Sequence, residues 1–280
     1  MKNFTTLILA IFVASSGAIS SDPLSFPMPR TEVIAVEDTT SDRQYELYVK
    51  LPEDYAQNSD KRYPVIYTTD AKWHMDLLSG TTEFLMPGVI LVGISWQLDH
   101  AEEREFFSRF RDYTPVASTN AERQAQYQFG QASEHLSFIR NDVIRLVDQT
   151  YRTSDQRAYL GYSLGGAFGA FVLFAEPGTF NNYILGSPAF NEVSLAFTST
   201  LAQQAEAKLS SAELQVFVSL GELETSEIEL TNGFVSVLDR ARASGLQHTG
   251  LQVMANSDHG TAVPETFVRS IKWLSEQFSN

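Results

Sequence analysis

The 280-residue chain contains no cysteine, which excludes disulfides, thiolate-bound metals, iron–sulfur clusters and a cysteine nucleophile. Basic residues are also scarce: the chain has 20 lysines and arginines against 34 aspartates and glutamates, which gives a net charge of −14. Such a chain repels phosphate backbones and anionic membranes, and no basic cluster offsets that repulsion, so we predict no nucleic-acid partner. The hydrophobic fraction of 43% is ordinary for a globular protein and sufficient for a buried core.

Residues 1–20 have the features of a secretory signal peptide. A lysine precedes an apolar run that ends at Val13, and small residues follow, with Ala18 and Ser20 suited to the −3 and −1 positions of a cleavage site. The run is shorter than the roughly 20 residues of a membrane-spanning helix, so we predict no stable membrane insertion. The alternative is a buried N-terminal helix. Cleavage would leave a domain of residues 21–280, exported to the periplasm or secreted, and loss of one lysine changes its net charge from −14 to −15.

Strand and helix patterns alternate along the rest of the chain. Short β-branched runs such as Tyr63–Thr69 and Val89–Ser95 predict central strands covered on both faces, and Ala132–Tyr151 has the clearest helical periodicity. The alternation predicts an α/β fold with a mostly parallel sheet and helices on both faces, and no linker or repeat divides it into further domains. The other predicted strands are Thr31–Glu37, Tyr45–Leu51, Arg157–Leu160, Asn182–Leu185, Leu214–Leu220 and Leu251–Ala255, and the other predicted helices are Gly165–Phe174, Val193–Leu209, Glu227–Ala243 and Pro264–Phe278.

The segment Gln97–Gln126 interrupts this alternation. It is charged, has no strand character and is longer than an ordinary connection. Two interpretations stay open: a solvated surface excursion, or a wall or lid over a site.

A nucleophile-elbow motif, G-x-S-x-G, occupies Gly161–Gly165. A strand pattern ends at Leu160, and an apolar helix pattern rich in small residues begins at Gly165, which is the strand–turn–helix setting of the motif. In an elbow, Ser163 holds its hydroxyl clear of the backbone, and the N–H of Leu164 faces the developing oxyanion. The alternative is a glycine-rich turn with an incidental serine.

The base is sought among the histidines after Ser163, because α/β-hydrolases have the chain order serine, acid, histidine. His259 directly follows the predicted strand Leu251–Ala255, at the sheet edge where the elbow also emerges. His248 lies between a predicted helix and a predicted strand, at the far end of the sheet. We therefore predict His259 as the base.

The acid is expected in the loop after the predicted strand Leu214–Leu220, where a carboxylate can orient the imidazole. Glu222 and Glu224 both qualify. We prefer Glu224 because the glycine turn gives its side chain more room to point back. Asp258 adjoins His259 in sequence and is poorly placed to hold Nδ1 while Nε2 faces the serine.

The second oxyanion donor of this fold comes from the loop after an early strand. After Tyr63–Thr69, this predicts the N–H of Lys72, with Ala71 as the alternative. The chemistry needs no cofactor. The scattered histidines, without an H-E-x-x-H pattern, predict no metal site.

Together these residues resemble the esterase D-like branch of the α/β-hydrolases, from Tyr45 to Phe278. The resemblance implies a serine esterase that acts on a small-molecule ester. It implies that Ser163 is the nucleophile, His259 the base and Glu224 the acid. It also implies that the N–H groups of Leu164 and Lys72 are the oxyanion donors. Its landmarks are YPVIYTTDA (Tyr63–Ala71), VILVGIS (Val89–Ser95), RFRDYTP (Arg109–Pro115), FIRNDVIRLVDQTYRT (Phe138–Thr153), GYSLGG (Gly161–Gly166), SPAF (Ser187–Phe190), the G-x-x-E turn (Gly221–Glu224) and DHGT (Asp258–Thr261).

The RFRDYTP motif, followed later by a helix that ends in Tyr-Arg, resembles the bacterial subgroup related to siderophore trilactone esterases. The resemblance offers Arg104, Arg109 and Arg111 as contacts for a catecholate, although the net charge argues against strong anion capture. The chain departs from many relatives in having alanine at position 71 after Asp70, and tyrosine at position 162. Two other functions stay open: an acyltransferase with the same triad, and an inactive exported binding protein on a hydrolase scaffold.

Overall fold

The structure is a computed structural model that describes residues 27–99, 102–210 and 213–278, so the predicted signal peptide lies outside it. Eight strands form one sheet: β1 (Thr31–Glu37), β2 (Gln44–Lys50), β3 (Tyr63–Thr68), β4 (Ile90–Ile94), β5 (Thr153–Tyr162), β6 (Asn182–Gly186), β7 (Gln215–Gly221) and β8 (Gln247–Met254). Their order is β1-β2-β4-β3-β5-β6-β7-β8. β2 is antiparallel to both of its neighbours, and all other neighbouring strands are parallel. The predicted α/β fold with a mostly parallel sheet is confirmed.

Ten α-helices surround the sheet: α1 (Ala71–Leu85), α2 (Ser108–Asp112), α3 (Ala121–Tyr127), α4 (Ala132–Phe138), α5 (Arg145–Thr150), α6 (Leu164–Ala175), α7 (Glu192–Gln204), α8 (Glu206–Leu209), α9 (Ile228–Ala241) and α10 (Ala262–Gln277), as far as the described residues go. Within those residues, none of the helices is both long enough and apolar enough to cross a membrane.

Two buried apolar clusters lie on opposite faces of the sheet. Neighbouring residues of a strand belong to different clusters: Tyr67 and Tyr159 lie in one cluster, whereas Ile66 and Leu160 lie in the other. This alternation is the period of two that an extended strand imposes on its side chains. The smaller cluster lies under α1 and α10, and the larger one lies under α6 and the helices packed against it. Burial on both faces explains why the central strands are continuously apolar.

The predicted boundaries differ from the structure in several places. Helix α1 was not predicted at all. The predicted helix over 132–151 is a nearly continuous run to Thr150, with a π-helical turn at Ile139–Ile144 in its middle. Strand β8 begins at Gln247, so His248 lies inside the strand, at its amino end, where its Nε2 is 3.1 Å from Asp239 Oδ1. The site at the carboxyl edge of the sheet is therefore far from His248.

The 97–126 segment contains a 3₁₀ turn at Glu102–Phe107 followed by α2 and α3. Aromatic rings pack together here: Phe107 and Phe110 both contact Tyr127, the last residue of α3, with ring centroids 5.3 and 4.8 Å apart. Helix α2 also packs against α6, the helix that follows Ser163. This position makes the segment a wall beside the nucleophile elbow rather than a solvated excursion.

Candidate active site

The nucleophile elbow is built between β5 and α6. Ser163 has φ 57° and ψ −120°, a conformation that L-residues rarely adopt, and its N–H donates to the carbonyl of Gly186 at 2.8 Å. A Cβ at position 161 would lie 2.3 Å from the carbonyl oxygen of Gly165, and one at position 165 would lie 2.6 Å from Thr69 Oγ1. Both glycines of the motif are therefore required sterically, and the strand–turn–helix setting is the one the motif predicts.

His259 and Glu224 meet at the same edge of the sheet, in the loops after β8 and β7. His259 Nδ1 lies 2.5 Å from Glu224 Oε2. The other carboxylate oxygen, Oε1, accepts hydrogen bonds from Ser187 Oγ at 2.7 Å and from the N–H of Gly221 at 2.8 Å. The buried Glu224 side chain is thus fixed by three donors, and it fixes the imidazole in turn.

The other acidic candidates face elsewhere. Glu222 is exposed, and its Oε2 accepts the N–H of Asn256 at 2.6 Å. Asp258 Oδ1 accepts the N–H groups of Gly260 and Thr261 at 3.0 and 2.8 Å, so it shapes the turn that carries the histidine. Of the acidic residues weighed from the sequence, Glu224 is the one in contact with the imidazole.

This pairing changes the pKa of both partners. The hydrogen bond to Glu224 raises the pKa of His259 above that of a free imidazole, although burial acts against it. Burial alone would raise the pKa of Glu224, but the hydrogen bonds from His259, Ser187 and Gly221 outweigh burial and lower it. The pair therefore favours a carboxylate beside a histidine that accepts a proton readily.

Ser163 and His259 line the same cavity, about 530 Å³ in volume, which we call the His259 cavity; Trp73, Arg109 and Val263 also line it. Within the described part of the chain, no hydrogen bond joins the serine hydroxyl to the imidazole. Nδ1 is held by Glu224, so Nε2 is the ring nitrogen left for the serine. Contacts of this kind commonly tighten when substrate binds.

Sequence reasoning missed two residues that support the histidine. Ser187, which has φ 36°, donates to Glu224. The Tyr162 hydroxyl lies 2.7 Å from the carbonyl oxygen of His259 and 2.8 Å from Ser187 Oγ, so it holds the loop that carries the imidazole. The signals were the SPAF landmark and the variable second position of the elbow, and neither indicates a role by itself.

Two helix N-termini carry the predicted oxyanion donors. Leu164 is the first residue of α6, and Lys72 is the second residue of α1 after Ala71. The first N–H groups of a helix have no acceptor within it and carry partial positive charge. The expectation that Lys72 lies in a loop was wrong: Asp70, at φ 55°, turns the chain directly from β3 into the helix. The Lys72 ammonium pairs with Glu105, so only its backbone is a candidate donor.

An ion pair ties the 97–126 segment to this first turn of α1. Arg109 donates from Nε and Nη2 to the two carboxylate oxygens of Asp70, at 3.0 and 2.8 Å. Asp70 also accepts Nε1 of Trp96 at 2.7 Å, and the guanidinium lies 5.1 Å from the ring centre of Trp73. The buried Asp70 carboxylate therefore connects the start of α1 to the 97–126 segment through Arg109, which also lines the His259 cavity.

The three arginines considered for anion contacts have different positions. Arg109 lines the His259 cavity, whereas Arg111 is buried against Asp112, with Nε 2.7 Å from Oδ1. The Arg104 side chain lies outside the described residues. Among the residues that are described, no group of three or more histidine, aspartate and glutamate side chains could hold a metal ion.

A second cavity, of about 570 Å³, is lined in part by Leu164, the residue after the nucleophile, and we call it the Leu164 cavity. Most of its lining is apolar and comes from the 97–126 segment, the start of α6 and the start of α7. Its apolar lining includes Phe110, Val116, Phe129, Leu164, Ala189 and Val193.

Comparison with known proteins agrees with this architecture. The model of the family described as Putative esterase matches residues 39–227. The ferri-bacillibactin esterase BesA of Bacillus subtilis (strain 168) is 29% identical over 184 residues, which are 60% of this chain and 61% of that relative's length.

Two solved structures share the fold. An IroE-like serine hydrolase from Shewanella oneidensis has a TM-score of 0.72 at 21% identity, covering 89% of this chain and 81% of the other. The siderophore hydrolase EstA from Aspergillus nidulans has a TM-score of 0.72 at 19% identity, covering 92% and 99%. The sheet is that of the α/β-hydrolase fold, and the resemblance inferred from the motifs is confirmed: the chain belongs to the Putative esterase family.

Proposed function

We propose that this chain is an exported serine ester hydrolase in which Ser163 is the nucleophile, His259 the base and Glu224 the acid. The observation that carries the proposal is the 2.5 Å contact between His259 Nδ1 and Glu224 Oε2, beside a serine held in a strained elbow. A carboxylate on Nδ1 selects the tautomer with a free Nε2 and stabilises the imidazolium that forms. The family match supports ester cleavage as the reaction.

In the first half-reaction, Ser163 Oγ attacks the ester carbonyl carbon, and its proton passes to His259 Nε2. The electron pair of the carbonyl moves onto its oxygen, which accepts hydrogen bonds from the N–H groups of Leu164 and Lys72. Each such donor contributes about 3–4 kcal/mol in comparable enzymes. The bond to the alkoxy oxygen then breaks, the proton on His259 passes to that oxygen, and the acyl group stays on Ser163.

In the second half-reaction, a water molecule attacks the acyl-enzyme and gives its proton to His259. The acyl–Oγ bond breaks, the proton returns to Ser163, and a carboxylic acid leaves. An alcohol in place of water would give the acyltransferase alternative, with a new ester as product. Analysis of the products with and without added alcohol separates the two.

For the substrate class, we propose an ester of a siderophore. The support is the activity by which two similar proteins are known, ferri-bacillibactin esterase and siderophore hydrolase, together with a cationic arginine and an exposed tryptophan, Arg109 and Trp73, in the His259 cavity. Chromatography of a ferric trilactone siderophore after incubation tests this proposal. We expect ring opening by the wild-type protein. An intact siderophore beside active turnover of simple esters would contradict it.

Export rests on the pattern of residues 1–20. We expect the mature protein to begin at Ser21. Mass spectrometry of the protein recovered outside the cytoplasm measures this, and a mature chain that retains residues 1–20 would contradict it.

The direct test of the reaction is turnover of p-nitrophenyl acetate by the wild-type protein and by Ser163→Ala. We expect the substitution to lower kcat by about 10³-fold or more, because no other group can form the acyl-enzyme. Ser137→Ala, an exposed serine on α4, is the matched control and should leave kcat unchanged. Equal turnover by folded wild type and Ser163→Ala would remove this serine from the mechanism, and an inactive wild type would favour a binding protein.

A further inference from the structure

Consecutive residues of the nucleophile elbow line two different cavities, which share no lining residue among those described. In two pairs of consecutive residues, one residue lines the first cavity and its neighbour lines the second. Ser163 lines the His259 cavity, and Leu164 lines the other. On α2, Arg109 lines the His259 cavity, and Phe110 lines the Leu164 cavity. The Ser163–Leu164 peptide, whose N–H is the proposed oxyanion donor, therefore joins a residue that lines one cavity to a residue that lines the other.

An ester that places its carbonyl at this peptide extends one half into each cavity. The orientation follows from the proton that the leaving alkoxy oxygen needs, since His259 must supply it and lines only the His259 cavity. We propose that the alcohol half of the substrate binds in the His259 cavity and the acyl half binds in the Leu164 cavity. This assignment rests on the proposed esterase function.

The Leu164 cavity determines which acyl groups fit. Its volume of about 570 Å³ lies within the range of cavities that hold whole small-molecule ligands, so it has room for far more than an acetyl group. Phe110, Val116 and Phe129 give it an apolar wall. Two charged residues, Arg123 and Glu192, also line the cavity, and the Arg123 guanidinium lies 5.4 Å from the Phe129 ring centre. The lining predicts a large acyl half that turns an apolar or aromatic surface toward this wall.

Two isomeric esters test the orientation: ethyl hexanoate carries its long chain on the acyl side, and hexyl acetate carries it on the alcohol side. They have the same atoms and similar hydrophobicity, so a difference between them reports on orientation. Three variants introduce the same tryptophan: Val116→Trp fills the Leu164 cavity, Val263→Trp fills the His259 cavity, and Val33→Trp lies on the exposed face of edge strand β1.

We expect Val116→Trp to lower the ratio of kcat/KM for ethyl hexanoate to that for hexyl acetate by about tenfold, because filling a pocket by a few methylenes has effects of this size. Val263→Trp should raise the ratio, and Val33→Trp should leave it unchanged. If Val116→Trp does not fold, Val193→Trp takes its place. Val193 lines the same cavity, and because it is 57% exposed a larger side chain there disturbs the core less.

The opposite pair of responses would reverse the assignment, and an unchanged ratio in every variant would overturn it. Wild-type turnover of p-nitrophenyl acetate, measured in parallel, separates these failures from failure of the esterase function itself. A protein inactive on p-nitrophenyl acetate contradicts the proposed function. A protein active on it in which every tryptophan variant leaves the ratio unchanged contradicts only the orientation.

Discussion

The loops that follow β5, β7 and β8 and the 97–126 segment meet at the same site but are held there by different interactions. In the loops, short polar contacts dominate: Glu224 accepts three hydrogen bonds, and the Ser163 amide is bonded to β6. In the segment, aromatic rings pack against one another, and one ion pair, Arg109 with Asp70, anchors them to α1.

We interpret the loops as the region that performs the reaction and the segment as the region that selects the substrate. Hydrogen bonds depend steeply on distance and angle, so the loops hold reacting atoms in fixed positions. Aromatic contacts accept a range of distances and tilts, so a wall made of them can change shape in evolution without disturbing the triad. We expect substitutions in the loops to change the rate of the chemical step, and substitutions in the segment to change selectivity and the anchoring of the wall.

The largest effect should come from Glu224→Gln. The glutamine oxygen can keep the bonds from Ser187 and Gly221, but its amide group would then face Nδ1 of His259. That contact forces the proton onto Nε2, which can no longer accept the serine proton, so kcat should fall by about 10³–10⁴-fold. The same change at exposed Glu222 is the matched control, and we expect a change of less than about threefold. The reverse order of effects in steady-state kinetics would reassign the acid.

A smaller effect is expected where the segment is anchored. Arg109→Lys keeps the charge but loses the two-pronged contact with Asp70. We predict about a tenfold loss in kcat/KM and a loss of about 1–2 kcal/mol in the free energy of unfolding, measured by urea denaturation. Arg269→Lys, which weakens an exposed helical pair with Glu265, should change neither. Identical behaviour of the two variants would contradict the anchoring role.

The smallest effect is a displacement of the pH profile, and here the two regions act in opposite directions. Glu224 raises the pKa of His259, whereas the positive charge of Arg109 lowers it. Protonated His259 cannot act as a base, so kcat/KM should rise with pH, with a midpoint above the ordinary imidazole value of about 6.5. Arg109→Gln should move that midpoint to higher pH, and Glu224→Gln should move the residual activity to lower pH. Shifts of the opposite sign would contradict the electrostatic account.

The catalytic residues in the loops could be predicted from the sequence, whereas the contacts of the 97–126 segment could not. The loop residues follow strands of a parallel sheet, so chain order and strand ends were enough to bring Ser163, Glu224 and His259 to one edge. Helix α1 was missed because Gly80, Thr81 and Thr82 are weak helix formers.

The anchoring of the segment depends on tertiary contacts. Arg109 and Asp70 are 39 positions apart, and nothing in their local sequence links them. The same holds for Ser187 and Glu224, which are 37 positions apart. The division of lining residues between the two cavities depends on how α2 packs over α6, and helical periodicity does not report such packing.

The activation of Ser163 by His259 is tested most directly by the rate at which a fluorophosphonate probe modifies the wild-type protein, followed by peptide mass spectrometry. We expect one adduct per chain, on the hydroxyl at position 163, with a rate that falls by at least about 10²-fold in His259→Ala, because an unactivated serine reacts poorly. Modification at a different residue, or an unchanged rate without the imidazole, would contradict it.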